Sequence, residues 1–169
     1  MSRRKLPKGW TIRDGLLTMK DPVRDRRATA IHEAGHAVVS ELVRERVQRV
    51  GLTSRYLRNS SYTGLRGFCN TLYSKQHGRI DPIHRAVIAL AGHEAEVYLC
   101  ARPVTLLPLE DLQVIRRLGC SDDSVALAGQ ISRRYVRWNA KDIRRVAREI
   151  LKYQMLSRRQ FLKAYRDVT

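Results

Sequence analysis

The residues of this chain best suited to chemistry are two histidines four positions apart, with a glutamate directly after the first. They lie in the run His32-Glu33-Ala34-Gly35-His36. The alanine-rich and aliphatic sequence on both sides predicts a helix. On a helix, side chains at positions i and i+4 project from one face, so both imidazoles can bind one metal ion with Glu33 beside its open coordination position.

This pattern predicts a zinc hydrolase site. Neutral imidazole is a good zinc ligand, and a catalytic zinc commonly has three protein ligands and a water whose pKa it lowers to about 7. Glu33 would be the general base, taking a proton from that water and returning it to the leaving amine. The opposing interpretation is a chance pair of histidines on a core helix. Gly35 argues against chance, because glycine costs roughly 1 kcal/mol relative to alanine in a helix and is best explained by close packing against it.

A third ligand, either a carboxylate or a histidine, must come from elsewhere in the chain, because two imidazoles do not hold a catalytic zinc alone. Spacing along the sequence does not choose among the candidates. These are His77, His84, His93, Glu94, Glu96, Glu110, Asp111, Asp122 and Asp123.

Length and composition predict one globular domain of ordinary size, with 169 residues of which 43% are hydrophobic. Prolines and glycines among charges predict an N-terminal basic arm over residues 1–23, with the metallopeptidase domain over 24–169. The longest apolar run, residues 86–91, is far shorter than the ~20 residues that span a bilayer. No secretory signal is visible, so a cytoplasmic location is expected. The three cysteines form no Cys-x-x-Cys pair, which argues against a disulfide framework and a cysteine zinc site.

The expected fold class is mainly α within the α+β class, with a small two- or three-stranded β-sheet beside the metal helix. Alternation of apolar and polar residues predicts the first strand, and aromatic and β-branched residues between glycines predict the second. The expected elements are a metal helix over 24–46, a strand over 47–52, loops and a strand over 54–79, and helices over 82–100, 108–119, 122–139 and 141–152.

A formal net charge of +17 and a pI near 10.7 are the second unusual feature. Such a field attracts nucleic acid, acidic proteins or anionic membrane surfaces. The basic residues are spread along the chain and no aromatic residues are interleaved with them. This favours a solvated basic surface over dedicated nucleic-acid binding.

Two motifs together resemble the peptidase domain of the FtsH family of zinc metalloproteases. The run from His32 to Ala37 is similar to that family's His-Glu-Ala-Gly-His-Ala helix. Leu90-Ala91-Gly92-His93-Glu94-Ala95-Glu96 is similar to a later helix that reads Leu-Ala-Gly-x-x-Ala-Glu. The resemblance covers residues 26–155 and implies a zinc-dependent peptidase whose catalytic residue is Glu33.

The resemblance also implies that an aspartate at the start of a later helix completes the metal site, and two positions compete for that role. The distance of Asp111 from His36 along the chain resembles the family's separation, whereas the sequence around Asp123 is closer to the family's local motif. We favour Asp111, because an insertion between core helices is harder to accommodate than a change of single residues. Glu96 matches a glutamate near the family's site, where it would orient a ligand imidazole or form a surface ion pair.

The expected function is a zinc-dependent metalloendopeptidase with His32, His36 and Asp111 as ligands of Zn²⁺. No Gly-x-x-x-x-Gly-Lys-Ser/Thr phosphate-binding loop occurs, so the family's ATPase module and its membrane anchors are missing from this chain. A peptidase module alone would cleave unfolded protein or peptide substrates, or work with a separate ATPase that unfolds them. The alternative is a catalytically inactive basic binding protein on a peptidase scaffold, contacting nucleic acid or an acidic protein partner. A zinc phosphoesterase is a third interpretation.

Overall fold

The computed structural model describes residues 10–13, 16–19, 22–56, 63–72, 81–101 and 109–166. Within these ranges the chain forms six helices and five strands. In order they are β1 (Trp10–Arg13), β2 (Leu16–Met19), α1 (Pro22–Leu42), β3 (Arg46–Tyr56), β4 (Thr63–Leu72), α2 (Pro82–Cys100), α3 (Leu109–Leu118), α4 (Asp122–Trp138), α5 (Ala140–Tyr153), β5 (Met155–Ser157) and α6 (Arg158–Arg166).

The architecture is mainly helical with a small antiparallel sheet, which is the fold class that the sequence predicts. The sheet has three strands in the order β4-β3-β5, so the long strand β3 lies in the middle and β4 lies at one edge. Strand β5 fits closely because Gly51 of β3 has no side chain. A Cβ atom there would collide with the carbonyl oxygen of Gln154 and lie 2.7 Å from the Cα of Met155.

Strands β1 and β2 form a separate antiparallel hairpin within the segment predicted as a basic arm. The arm prediction gave no strands there. The dipeptide Asp14-Gly15, which separates the two strands in the sequence, is a frequent hairpin turn sequence and is the signal that was overlooked. Helix α1 begins at Pro22, two residues earlier than the predicted start of the domain.

Helix α1 is the central element of the fold. It packs against α2, α5 and the strands β3 and β4, and every residue from Ile31 to Ser40 is buried. Neighbours on several sides explain why the helix carries apolar residues around most of its circumference. The polar residues among them therefore face the interior of the protein.

Helices α1 and α2 approach each other closely at Gly35. A Cβ atom on Gly35 would lie 2.7 Å from the carbonyl oxygen of Ala91 and 2.8 Å from the Cβ of Ala95. Only glycine allows this separation between the two backbones. The prediction that another element packs closely against Gly35 is confirmed.

The ends of the predicted helices follow from local capping. Asp81 accepts a hydrogen bond from the backbone N–H of Ile83 at 2.9 Å, and Pro82 takes the first helical position of α2. Ser121 caps α4 by accepting from the N–H of Ser124 at 3.3 Å. None of the helices in the described ranges combines the length and apolar character needed to cross a membrane.

Substituting Gly35 with alanine should destabilise the protein, because the added methyl group forces α1 away from α2. The expected loss in free energy of unfolding is about 1–3 kcal/mol, measured by urea denaturation. Gly129→Ala in α4 is the matched control, since its Cβ would meet only Leu90 Cδ1 at 3.9 Å. That substitution should be neutral or stabilise by up to about 1 kcal/mol. Equal effects of the two substitutions would contradict the packing described.

Candidate metal centre

Three side chains from two helices meet at one point. His32 and His36 lie on consecutive turns of α1, and their Nε2 atoms are 2.9 Å apart. Asp111, in the first turn of α3, places Oδ2 3.2 Å from Nε2 of His32 and Oδ1 3.5 Å from Nε2 of His36. These three residues could hold a metal ion.

The remaining nitrogen of each imidazole fixes its orientation. Nδ1 of His36 is 2.7 Å from the carbonyl oxygen of Ile88, which can only accept, so this nitrogen donates a proton. Nδ1 of His32 is 2.9 Å from Oε1 of Glu96. When both rings are neutral and carry their proton on Nδ1, both Nε2 atoms present a lone pair at the meeting point, which is the tautomer that a metal requires.

The carboxylates around the two imidazoles favour a positive charge at their meeting point. Burial lowers the pKa of His32, but Asp111, Glu96 and Glu33 outweigh that effect and raise the pKa to about 10. Burial raises the pKa of Asp111, but the two imidazoles outweigh it and hold the pKa well below its ordinary value. In the metal-free protein a proton on His32 thus supplies the charge that a bound cation would supply.

Gly92 of α2 keeps the space beside the two imidazoles free. A Cβ atom on this residue would lie 2.5 Å from Nε2 of His36 and 2.6 Å from Nε2 of His32. Any side chain here would press on both ligand atoms. Two imidazoles, one carboxylate and free space beside them fit zinc and other divalent transition metals.

Glu33 lies next to this group and is 7% exposed. Its side chain rests against Gly67 of β4, where a Cβ atom would collide with Oε1, Cγ and Cδ of the glutamate. The sequence gives Gly67 no special role, because the contact joins positions that are far apart in the chain. Its position in a strand, where glycine is unfavourable, is the signal that could have found it.

The group opens into a cavity of about 580 Å³. Residues 67–71 of β4 line this cavity, as do Val114, Arg117 and Leu118 of α3. Because β4 pairs with β3 alone, one of its two edges carries no strand in the described sheet.

Cys69 also lines the cavity, but burial and the nearby Glu33 raise the pKa of its thiol, so it remains neutral and a weak metal ligand.

The other sequence candidates lie elsewhere. Asp123, the competitor of Asp111, is exposed in the first turn of α4 and does not join the group. Glu94 is buried but bound by Arg133, whose Nε and Nη2 each donate to it at 3.1 Å. His84 and Asp122 are exposed, His93 is half-buried, and His77 and the side chain of Glu110 lie outside the described residues.

Compared with models of known protein families and with curated proteins, this chain matches none of them. The resemblance to the FtsH peptidases therefore stays a prediction from the two motifs. Function has to be inferred from the geometry of the site.

The stability of the metal-free protein should fall as the pH rises from 7 to 10. The pKa of His32 is about 10 in the folded protein and near 6.5 in the unfolded chain. Its contribution to stability is thus complete below about pH 6.5 and is lost as the pH rises through about 10. Urea denaturation with a chelator present should show a loss on the order of 2–4 kcal/mol. Asp111→Asn removes a partner that raises this pKa and should flatten the curve; an equally steep curve in that variant would contradict the assignment.

Asp111→Asn should also abolish tight metal binding, since it replaces a charged ligand of the site with a neutral one. Asp123→Asn is the matched control, because this exposed aspartate is outside the group. Metal content after dialysis against zinc should be about one ion per chain for the parent protein and the control. Loss of metal in Asp123→Asn, with retention in Asp111→Asn, would reverse the assignment.

Proposed function

We propose that this protein is a zinc-dependent metalloendopeptidase in which His32, His36 and Asp111 hold the ion and Glu33 is the general base. The observation that carries the proposal is the position of Glu33, a buried carboxylate in the same cavity wall as three converging ligand atoms. A structural metal site is closed and needs no such base, whereas a hydrolytic site needs both an open position and a base.

Zinc bound at this site would lower the pKa of a water and polarise the carbonyl of the substrate. Glu33 takes the proton of the attacking water and passes it to the nitrogen that leaves the peptide bond. Its contact with Gly67 limits the positions that the carboxylate can take, so the base is held toward the cavity. Glu96 orients His32, and the carbonyl of Ile88 orients His36.

The cavity suits an extended peptide. An edge strand such as β4 can pair with a substrate segment through backbone hydrogen bonds, which requires that segment to be unfolded. Side chains of α3, including Val114 and Leu118, also line the cavity and offer apolar contacts. Unstructured proteins and peptides are therefore the proposed substrates.

The motifs that resemble FtsH peptidases support the same reaction, with a separate ATPase as a possible supplier of unfolded substrate. Gly92, which leaves room for both ligand imidazoles, belongs to the second of these motifs. A cytoplasmic location is consistent with this function and stays a prediction.

A second candidate function is the binding of nucleic acid or another polyanion, and one observation favours it. Trp138 on α4 is 71% exposed, and the guanidinium of Arg134 lies 5.5 Å from the centre of its ring. Arg137 lies similarly over the half-exposed Tyr98, at 5.7 Å. Arg134, Arg137 and Trp138 are interleaved within residues 133–138, a local pattern that the sequence analysis overlooked, and folding adds Tyr98 of α2 beside them. Polyanion binding at these residues would fall steeply between low and physiological salt and would not depend on Glu33.

Glu33→Gln should keep the zinc and lose the activity. The amide cannot accept the proton of the attacking water, so the rate of casein hydrolysis should fall by about 10²–10⁴-fold, measured by release of labelled peptides. Glu149→Gln is the control, because Glu149 lies on α5 and does not line the cavity. Undiminished hydrolysis by Glu33→Gln, at full zinc content, would rule out the mechanism.

A further inference from the structure

The cavity continues beyond the metal ligands along the same face of α1. Ser40 lies four residues after His36, as His36 lies four residues after His32, and each four-residue step advances about 6 Å along the helix axis. Ser40 and Glu45 line this end of the cavity together with Thr71 and Arg85. We refer to these four residues as the Ser40–Glu45 subsite.

Two polar atoms of this subsite are buried and unsatisfied. Neither Oγ of Ser40 nor Oε1 of Glu45 has a hydrogen-bond partner within the part of the chain that the structure describes. Ser40 is 0% exposed and Glu45 is 3% exposed. Leaving a buried polar group unpaired costs about 1–3 kcal/mol. Both groups line the same cavity, where a ligand could supply their partners.

The position of Glu45 is fixed by the turn that precedes β3. The backbone N–H of Glu45 donates to the carbonyl of Ser40 at 2.8 Å. Glu41 accepts from the N–H of Val47 at 2.8 Å and from Nη1 of Arg158 at 2.6 Å. The subsite is therefore held in place before any ligand arrives.

The charges around the subsite select against most side chains. An anionic side chain would face the carboxyl of Glu45, and a cationic one would face Arg85, whose charge acts on that carboxyl. An aliphatic side chain would leave both polar atoms unpaired. Burial raises the pKa of Glu45, although Thr71 and Arg85 oppose the rise. The hydroxyl of Ser40 can donate as well as accept, and Oε1 of Glu45 can accept. A ligand that also does both is the best match, and a carboxamide is such a group.

We propose that the Ser40–Glu45 subsite binds the carboxamide side chain of a glutamine or asparagine close to the scissile bond of the substrate. An extended peptide advances about 3.3 Å per residue, so a side chain one or two residues from the scissile bond reaches one helical turn beyond the metal ligands. This inference rests on the proposed peptidase function and names the class of substrate that the site prefers.

The test uses a set of peptides with a common alanine- and leucine-rich sequence and one varied position: glutamine, asparagine, lysine, glutamate or norleucine. Cleavage near the varied residue, followed by mass spectrometry, should be about tenfold faster for the two amides than for the others. Ser40→Ala and Glu45→Leu should each reduce this preference to less than about threefold. Ser132→Ala is the matched control, because its hydroxyl is also buried and has no hydrogen-bond partner among the described residues, but lies outside the cavity. That control should retain the full preference.

Cleavage that depends on Glu33 but is equally fast for all five peptides would overturn the subsite and leave the peptidase function standing. If no peptide is cleaved, the proposed peptidase function is wrong. The carboxamide preference of the subsite can then still be tested by measuring how tightly the peptides bind. Fluorescence anisotropy with fluorescein-labelled peptides and the zinc-loaded protein should then show tighter binding of the glutamine peptide than of the norleucine peptide. Equal affinities for the two peptides would overturn the proposal.

Discussion

Three carboxylates and two imidazoles share a small volume that water barely reaches, and the protein has to make this combination stable. Glu33, Glu96 and Asp111 are acidic groups, and Nε2 of His32 and of His36 lie 3.2 and 3.5 Å from the carboxylate of Asp111. Without a cation these groups repel one another in surroundings where the repulsion is weakly screened. A proton on His32 relieves part of it, and a divalent ion relieves more. A bound metal ion would therefore stabilise the arrangement as well as supply the proposed reactivity.

Glycines on three elements make this crowding possible. Gly35 lets the backbones of α1 and α2 come together, which places the carbonyl of Ile88 and the carboxylate of Glu96 against the ligand imidazoles. Gly92 leaves the ligand atoms uncovered, and Gly67 gives the side chain of Glu33 a place against β4. Because the ligands are held by closely packed backbone, they are arranged for metal before it binds, as an efficient catalytic site requires.

The sequence predicted those parts of the protein that depend on local pattern. The spacing of His32 and His36 placed both on one helix face, and Asp81-Pro82 marked the start of α2. Asp111 could not be chosen from spacing alone, since its role depends on how α3 packs against α2 and brings this side chain to the imidazoles of α1. The contact of Gly67 with Glu33 and the burial of Glu45 depend in the same way on tertiary packing. Strand β5 has only three residues, too few for an alternation of apolar and polar residues to be recognised in the sequence. Its extended conformation depends on pairing with β3.

The most direct test of the central claim is X-ray absorption spectroscopy at the zinc edge on the zinc-loaded protein. The account predicts a first shell of nitrogen and oxygen at about 2.0–2.2 Å, with outer-shell scattering from two imidazoles and no sulfur. Cys69 lines the same cavity, and its raised thiol pKa disfavours the thiolate that would bind zinc. A sulfur neighbour at about 2.3 Å, or a spectrum without imidazole scattering, would contradict the account.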